Sequence, residues 1–274
     1  MSTVLDSIIE GVREDLSSRI AQTPPEEISR QAAAAAPALD AHAALKQGRS
    51  DPAGVRIIAE VKRKSPSKGD LAEIPDPAGL AQAYQSGGAS VISVLTEPRR
   101  FGGSLNDLAA VRQAVSIPVL RKDFMVDEYQ FYEARAYGAD LVLLIVAALD
   151  DAQLRDFLAL THELGMNALV EAHTEEEIER SADLGAAIVG VNVRNLKTLE
   201  VDVRHYAAMT RHLPENVVRI AESGVDSPKV VGDYAAQGAD AVLVGEALVR
   251  HGEPGSAVQD FRAATIGEPR RHRI

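Results

Sequence analysis

The chain has 274 residues, of which 46% are hydrophobic and 25% charged, a balance typical of a folded globular protein rather than a disordered one. The formal net charge of -11 argues against general binding to nucleic acid or to an anionic membrane surface, because both require a positive footprint. The absence of cysteine excludes disulfides, thiolate nucleophiles and Cys-ligated metal sites, and it is compatible with a cytoplasmic location.

The N-terminal part is predicted to be helical. Residues 3–20 carry apolar side chains at helical spacing, Pro24-Pro25 ends this first helix, and two shorter helical segments follow. Acidic residues among the first apolar ones argue against a secretory signal, and no apolar run is long enough to span a bilayer. We expect residues 1–50 to form a helical extension that packs on the following domain or covers its mouth.

From residue 56 onward, short β-branched runs alternate with helical segments, which indicates parallel βαβ units. Four glycines placed just before predicted strands, Gly88, Gly138, Gly185 and Gly238, are expected to be left-handed helix caps. The predicted strands are Arg56–Val61, Val91–Leu95, Pro118–Arg121, Leu141–Val146, Ala168–Val170, Ile188–Val191, Val218–Ala221 and Ala241–Val244.

Eight such units favour a closed barrel, so the predicted fold is α/β, a (β/α)8 TIM barrel with an N-terminal helical extension, forming one domain over residues 1–274. The alternative is an open sheet of Rossmann type. That fold requires a Gly-rich dinucleotide turn after an early strand, and this sequence has neither that turn nor a Walker-type phosphate loop.

Charged residues follow several of the predicted strands, where barrel enzymes place their chemistry. Strand alternation puts Glu60 and Lys62 on one face, either in a site or in a purely structural ion pair. Lys122 ends the third strand, and among other cations with little water it would lose proton affinity and become a competent acid. Glu171 ends the fifth strand. It is a candidate base with a pKa raised by apolar surroundings, or alternatively a structural cap.

Two glycine-containing pairs, Ser223-Gly224 and Gly245-Glu246, follow the last two strands. Barrels often bind phosphate there through backbone N–H groups, although each glycine could also serve a simple turn. The basic run Lys62-Arg63-Lys64 is too short on an acidic chain to predict a nucleic-acid partner. The seven histidines show no metal-ligand spacing, so no metal site is predicted.

Five stretches of this sequence together resemble the indole-3-glycerol phosphate synthase family, and the resemblance extends over nearly the whole chain. They are Ile58-Ala59-Glu60-Val61-Lys62-Arg63-Lys64-Ser65-Pro66-Ser67, Pro118-Val119-Leu120-Arg121-Lys122-Asp123-Phe124, Ala168-Leu169-Val170-Glu171, Gly190-Val191-Asn192-Val193-Arg194-Asn195-Leu196 and Ala221-Glu222-Ser223-Gly224-Val225. The resemblance implies ring closure, decarboxylation and dehydration of 1-(2-carboxyphenylamino)-1-deoxyribulose 5-phosphate to indole-3-glycerol phosphate, a step of tryptophan synthesis. It implies no cofactor, and its only partner is this sugar-phosphate substrate. The sequence is compatible with a monomer.

The resemblance also implies roles for the charged residues. Lys122 would protonate the carbonyl oxygen during ring closure, and Glu171 would act as the base that handles the anilino proton. Lys62 would bind anionic groups of the substrate and serve as a second acid during dehydration. The complete catalytic set is Lys122, Glu171, Lys62, Glu60, Asn192 and Glu222.

Other residues are implied to bind the substrate. Its carboxylate, hydroxyls and aromatic ring would contact Ser65, Phe101, Arg194 and Leu196, and its phosphate would contact Ser223, Gly224, Gly245 and the backbone of Glu246. Two departures from many relatives stand out. Arg100-Phe101 replaces two adjacent aromatics, and Glu246 replaces a serine, so its carboxylate should point away from the phosphate.

Three other functions are alternatives to this one. Phosphoribosylanthranilate isomerase, another barrel enzyme, uses a cysteine base that this chain lacks. A Schiff-base aldolase would use Lys122 as a nucleophile and would be trapped by borohydride. A non-catalytic sugar-phosphate sensor would bind ligand without turnover, which the presence of both Lys122 and Glu171 disfavours.

Overall fold

A computed structural model describes residues 4–46, 54–194, 201–250 and 252–265. Eight parallel strands form a closed barrel, in which β1 pairs with both β2 and β8. The predicted fold class is therefore confirmed. The strands are β1 (Arg56–Val61), β2 (Val91–Leu95), β3 (Val119–Lys122), β4 (Leu141–Ile145), β5 (Asn167–Ala172), β6 (Ile188–Asn192), β7 (Val218–Glu222) and β8 (Ala241–Val244).

The barrel strands are apolar on both faces because each face is buried. Ile58, Leu143 and Ile220 belong to the cluster inside the barrel, whereas Ile57 and Val142 pack outward against the helices. The strands are close to their predicted positions, and the main differences are one or two residues at their ends. The third strand, for example, extends one residue beyond its predicted end at Arg121 and includes Lys122.

Helices surround the barrel and are packed on it by the outer cluster. Their bounds are α1 (Val4–Gln22), α2 (Pro25–Ala34), α3 (Ala41–Leu45), α4 (Pro77–Ser86), α5 (Pro98–Phe101), α6 (Leu105–Ala114), α7 (Tyr129–Ala136), α8 (Asp151–Glu163), α9 (Glu175–Asp183), α10 (Tyr206–Thr210), α11 (Pro228–Ala236), α12 (Glu246–Val249) and α13 (Pro254–Ala263). The four predicted cap glycines all have positive φ, between 78° and 96°, which confirms their left-handed conformation. In the parts of the chain that the structure describes, no helix combines the length and apolarity that crossing a bilayer demands.

The N-terminal helices contact both ends of the barrel. Ile8 and Val12 of α1 pack on Val126, in the loop that follows β3 at the carboxyl ends of the strands. At the opposite end, Ala41 and Leu45 of α3 join the cluster inside the barrel. The extension therefore begins near the mouth, passes along α7 through α2 and closes the amino ends of the strands with α3.

A buried chain of charges connects α1 to β3. Arg121 is fully buried and faces Asp123 at 3.0 Å and Glu133 at 2.9 Å. The other carboxylate oxygen of Glu133 accepts a hydrogen bond from Arg19 of α1 at 2.8 Å. Because buried charges need partners, these ion pairs hold α1 in place beside the segment that carries Lys122.

Candidate active site

Five charged side chains meet at the carboxyl ends of the barrel strands. Lys122 Nζ lies 3.3 Å from Glu171 Oε2 and 3.8 Å from Glu222 Oε2. Lys62 Nζ lies 2.5 Å from Glu60 Oε1. The three carboxylates are at most 5% exposed, so these charges interact through little water. The arrangement follows from strand alternation, which directs every second residue of β1, β3, β5 and β7 into the barrel.

The surroundings of Lys122 differ from those expected. We predicted neighbouring cations and a lowered pKa, and this was wrong. Burial by itself lowers the pKa of Lys122, but the charges of Glu171, Glu222 and Glu60 outweigh burial and raise the pKa above its ordinary value. Lys122 is therefore held as an ammonium group, able to donate a proton and unable to act as a free amine nucleophile.

The pKa values of the two carboxyls beside Lys122 are shifted in opposite directions. Burial favours the neutral form of Glu171, but Lys122, His173 and Asn192 together hold its pKa well below the usual range. The raised pKa that we expected for Glu171 was therefore wrong. Burial and the charge of Glu171 instead raise the pKa of Glu222 well above its ordinary value. Of this pair, Glu171 therefore gives up its proton more readily, and Glu222 keeps its proton to higher pH.

Asn192 and Ser223 connect Glu171 to the ends of β6 and β7. Asn192 Nδ2 donates to Glu171 Oε1 at 3.1 Å, and Asn192 Oδ1 accepts from Ser223 Oγ at 2.7 Å and from the Arg194 backbone N–H at 3.1 Å. Gly190 lies beside this group, and a Cβ there would overlap the carboxylate of Glu222. The small residue on β6 thus makes room for a large one on β7.

The residues predicted to bind phosphate lie at the ends of the neighbouring strands β7 and β8. Ser223 and Gly224 both have φ of 71°, which is unusual for a serine, and the Ser223 carbonyl accepts a hydrogen bond from Tyr234 Oη at 2.9 Å. A Cβ at Gly245 would lie 2.5 Å from Glu60 Oε1. This backbone can therefore approach the charged cluster only as glycine.

The carboxylate of Glu246 forms ion pairs with two basic side chains. It lies 2.7 Å from Arg250 NH1 on the next turn and 4.0 Å from Lys68 Nζ. The expectation that this carboxylate points away from a phosphate at Gly245 is compatible with these contacts. The N–H of Glu246, at the start of α12, has no partner of its own within that helix.

Three of the remaining predicted contact residues lie around the mouth. Phe101 ends α5 and packs on Phe124 with ring centroids 6.0 Å apart. Ser65 lies in a two-stranded hairpin, Lys64–Ser65 with Gly69–Asp70, directly after β1. Arg194 is half-buried just beyond β6, and the predicted contact Leu196 lies outside the described residues.

Comparison with known proteins tests the resemblance seen in the sequence. The family model for indole-3-glycerol phosphate synthase matches residues 5–261. The chain is 66% identical to the indole-3-glycerol phosphate synthase of Micrococcus luteus over 264 residues, covering 96% of this chain and 98% of that protein. It is 59% identical to the enzyme of that name from Mycolicibacterium smegmatis over 263 residues, covering 96% of this chain and 95% of that protein.

The chain belongs to the indole-3-glycerol phosphate synthase family. The predicted family is thereby confirmed. Solved structures of other barrel proteins are similar in fold only. The 3-hexulose-6-phosphate synthase of Salmonella typhimurium has a TM-score of 0.60 at 16% identity, covering 77% of this chain and 98% of its own. The thiamine phosphate pyrophosphorylase of Pyrococcus furiosus has a TM-score of 0.59 at 13% identity, covering 78% and 96%.

One buried residue beside Glu171 was not among the site residues predicted from the sequence of this indole-3-glycerol phosphate synthase family member. His173 lies two residues after Glu171, and its Nε2 is 3.2 Å from Glu171 Oε1. Strand alternation places residues 171 and 173 on the same face, so the Glu-Ala-His order was a usable signal. Within the described ranges, no three acidic or histidine side chains are arranged to hold a metal ion.

Proposed function

We propose that this chain catalyses the closure of the indole ring of 1-(2-carboxyphenylamino)-1-deoxyribulose 5-phosphate, followed by decarboxylation and dehydration to indole-3-glycerol phosphate. Family membership over residues 5–261 supports this assignment. The observation that carries the mechanism is the ammonium of Lys122 between Glu171 and Glu222 at the mouth of the barrel. The reaction makes the protein a carboxy-lyase of tryptophan biosynthesis, and we place it in the cytoplasm.

In the proposed ring closure, the aromatic carbon that bears the carboxylate attacks the ketone carbon, and negative charge develops on the carbonyl oxygen. Lys122 would protonate that oxygen, because the neighbouring carboxylates keep its amine charged until the substrate oxygen accepts the proton. Loss of carbon dioxide then restores the aromatic ring. Glu171, held ionised, would accept the anilino proton as the hydroxyl leaves and return it to the ring nitrogen, which carries hydrogen in the product.

Dehydration removes the new hydroxyl, which takes a proton from an acid and leaves as water, while the neighbouring ring carbon loses a proton and the indole double bond forms. Lys62 would serve there and would also bind anionic groups of the substrate, with Glu60 at 2.5 Å fixing its position. Glu222 would complete the charge network. Asn192, Arg194 and Ser65 would orient the carboxylate and hydroxyls, and Phe101, together with Leu196, would contact the aromatic ring.

The phosphate would bind at the other side of the mouth, on the backbone of Ser223, Gly224, Gly245 and Glu246. Holding both anionic ends of the substrate folds it and brings the two reacting carbons together, which lowers the entropic part of the barrier. We further propose that the barrel and its N-terminal helices act as one domain, because α1 and α3 pack on opposite ends of the same barrel.

A direct test supplies the purified protein with the synthetic substrate and follows the fluorescence of the indole ring. Appearance of indole-3-glycerol phosphate with release of carbon dioxide supports the proposal. Binding without turnover would instead indicate a sugar-phosphate sensor. A product trapped by borohydride on Lys122 would indicate a Schiff-base enzyme, which the charged state of that lysine disfavours.

A further inference from the structure

His173 occupies a buried position between two carboxylates. Its side chain is 6% exposed, Nε2 lies 3.2 Å from Glu171 Oε1, and Nδ1 lies 3.5 Å from Glu177 Oε2. Glu177 is itself fixed in the first turn of α9, where its Oε2 accepts the backbone N–H of His173 at 2.7 Å. The ring therefore connects the candidate base on β5 to the helix that follows it.

The two facing carboxylates favour a charged ring. A neutral imidazole carries one N–H, whereas an ionised carboxylate on each side offers only acceptors, so both ring nitrogens can be paired only when both carry hydrogen. Burial lowers the pKa of His173, but its hydrogen bonds and charge interactions with Glu171 and Glu177 outweigh burial and raise the pKa to about 10. On the far side of Glu171 lie Lys122 and Glu222, which complete the set of charged groups around that carboxylate.

We propose that His173 is a positioning residue for the ring-closure reaction, fixing Oε1 of Glu171 so that Oε2 stays directed at Lys122. Three contacts then hold the carboxylate of Glu171: His173 and Asn192 on Oε1 and Lys122 on Oε2. The inference rests on the proposed function. Because carboxylates occupy both ring nitrogens, His173 has no donor left for the substrate, and its loss should affect turnover more than binding.

The variant His173→Gln keeps a hydrogen-bond donor near Glu171 and removes the positive charge. We expect kcat to fall roughly 10–100-fold while KM changes less than about twofold, since a misplaced base impairs the chemical step. The acidic limb of the pH profile of kcat/KM should move upward by about one unit, because loss of a nearby cation raises the pKa of Glu171.

His212 offers a matched control. It also lies between two carboxylates, 3.7 Å from Glu175 and 3.7 Å from Glu179, but its side chain is 35% exposed and it belongs to the loop after α10. His212→Gln should keep the wild-type kcat and pH profile. A His173→Gln enzyme with the same kcat and acidic limb as the wild type would overturn the proposal, as would a rise in KM alone.

A measurement on the unaltered protein covers the case in which His173→Gln does not fold. In protein labelled with ¹⁵N-histidine, the nitrogen shifts of His173 should be those of an imidazolium at about pH 8, above the usual histidine pKa of about 6.5. A neutral ring there would overturn the proposal. Wild-type turnover is measured first: an inactive wild type refutes the proposed function, whereas an active wild type with a neutral His173 refutes only this inference.

Discussion

Replacing Lys122 with methionine removes the charge of the proposed acid and keeps most of its volume. The ammonium lies 3.3 Å from Glu171 and 3.8 Å from Glu222, and methionine can neither donate a proton nor balance these carboxylates. Turnover should fall about 10²–10⁴-fold, the usual contribution of a positioned acid, and the substrate should still bind through its phosphate.

The same substitution should change how stability depends on pH. Removing one partner of a buried ion pair costs about 3–5 kcal/mol, and we expect the lower end because His173 remains beside Glu171. Without Lys122, we expect burial to outweigh His173 and Asn192 and to raise the folded-state pKa of Glu171 above its ordinary value of 4.5. Its destabilising effect is then absent below that value, grows as the pH rises from that value to the new folded-state pKa, and is constant above it. The loss of stability should therefore be larger at about pH 8 than at about pH 5.

Urea unfolding followed by circular dichroism at both pH values measures this difference, and indole fluorescence measures turnover. Lys229→Met is the control, because Lys229 is 82% exposed and pairs with Asp233 at 2.8 Å on the surface. The control should keep full turnover and change stability by less than about 1 kcal/mol at either pH. A Lys122→Met protein with wild-type turnover, or with the same stability loss at both pH values, would refute the reasoning.

Three further predictions concern neighbouring residues. Glu171→Gln should lower kcat about 10²–10⁴-fold. Glu222→Gln should lower kcat less than about tenfold near neutral pH, because the raised pKa of Glu222 makes the native side chain resemble a neutral amide. Equal losses of kcat in steady-state assays would contradict the assigned difference in pKa. Arg194→Ala should mainly raise KM, and an unaltered KM would argue against its contact with the substrate carboxylate. Gly245→Ala should place a Cβ 2.5 Å from Glu60 Oε1 and weaken phosphate binding, seen as a raised KM for substrate and a weakened inhibition by inorganic phosphate. Inhibition equal to that of the wild type would exclude Gly245 from the phosphate site.

Much of the fold could be predicted from local patterns. Gly88, Gly138, Gly185 and Gly238 lie where a left-handed cap is needed, so single positions indicated where helices end and strands begin. The packing of the N-terminal segment could not be predicted in the same way. An apolar helix such as α3 has the same pattern whether it covers the mouth or, as here, fills the opposite end of the barrel.

The sequence predicted which residues form the site better than it predicted their pKa values. Strand ends indicated Lys122 and Glu171 as neighbours, and the family resemblance added Glu222, but their pKa values depend on distances between residues far apart in the chain. The raised pKa expected at Glu171 occurs instead at Glu222, because Lys122 and His173 both lie closer to Glu171. A burial argument applied to one carboxyl at a time cannot distinguish the two.

The most direct test of the account is a crystal structure of this protein with indole-3-glycerol phosphate bound. We expect the indole ring between Lys122 and Glu171, and the phosphate oxygens within about 3 Å of backbone N–H groups at Gly224 and Gly245. A product bound elsewhere, or Lys122 and Glu171 directed into separate solvent regions, would contradict the claim that one pocket holds acid, base and phosphate site together.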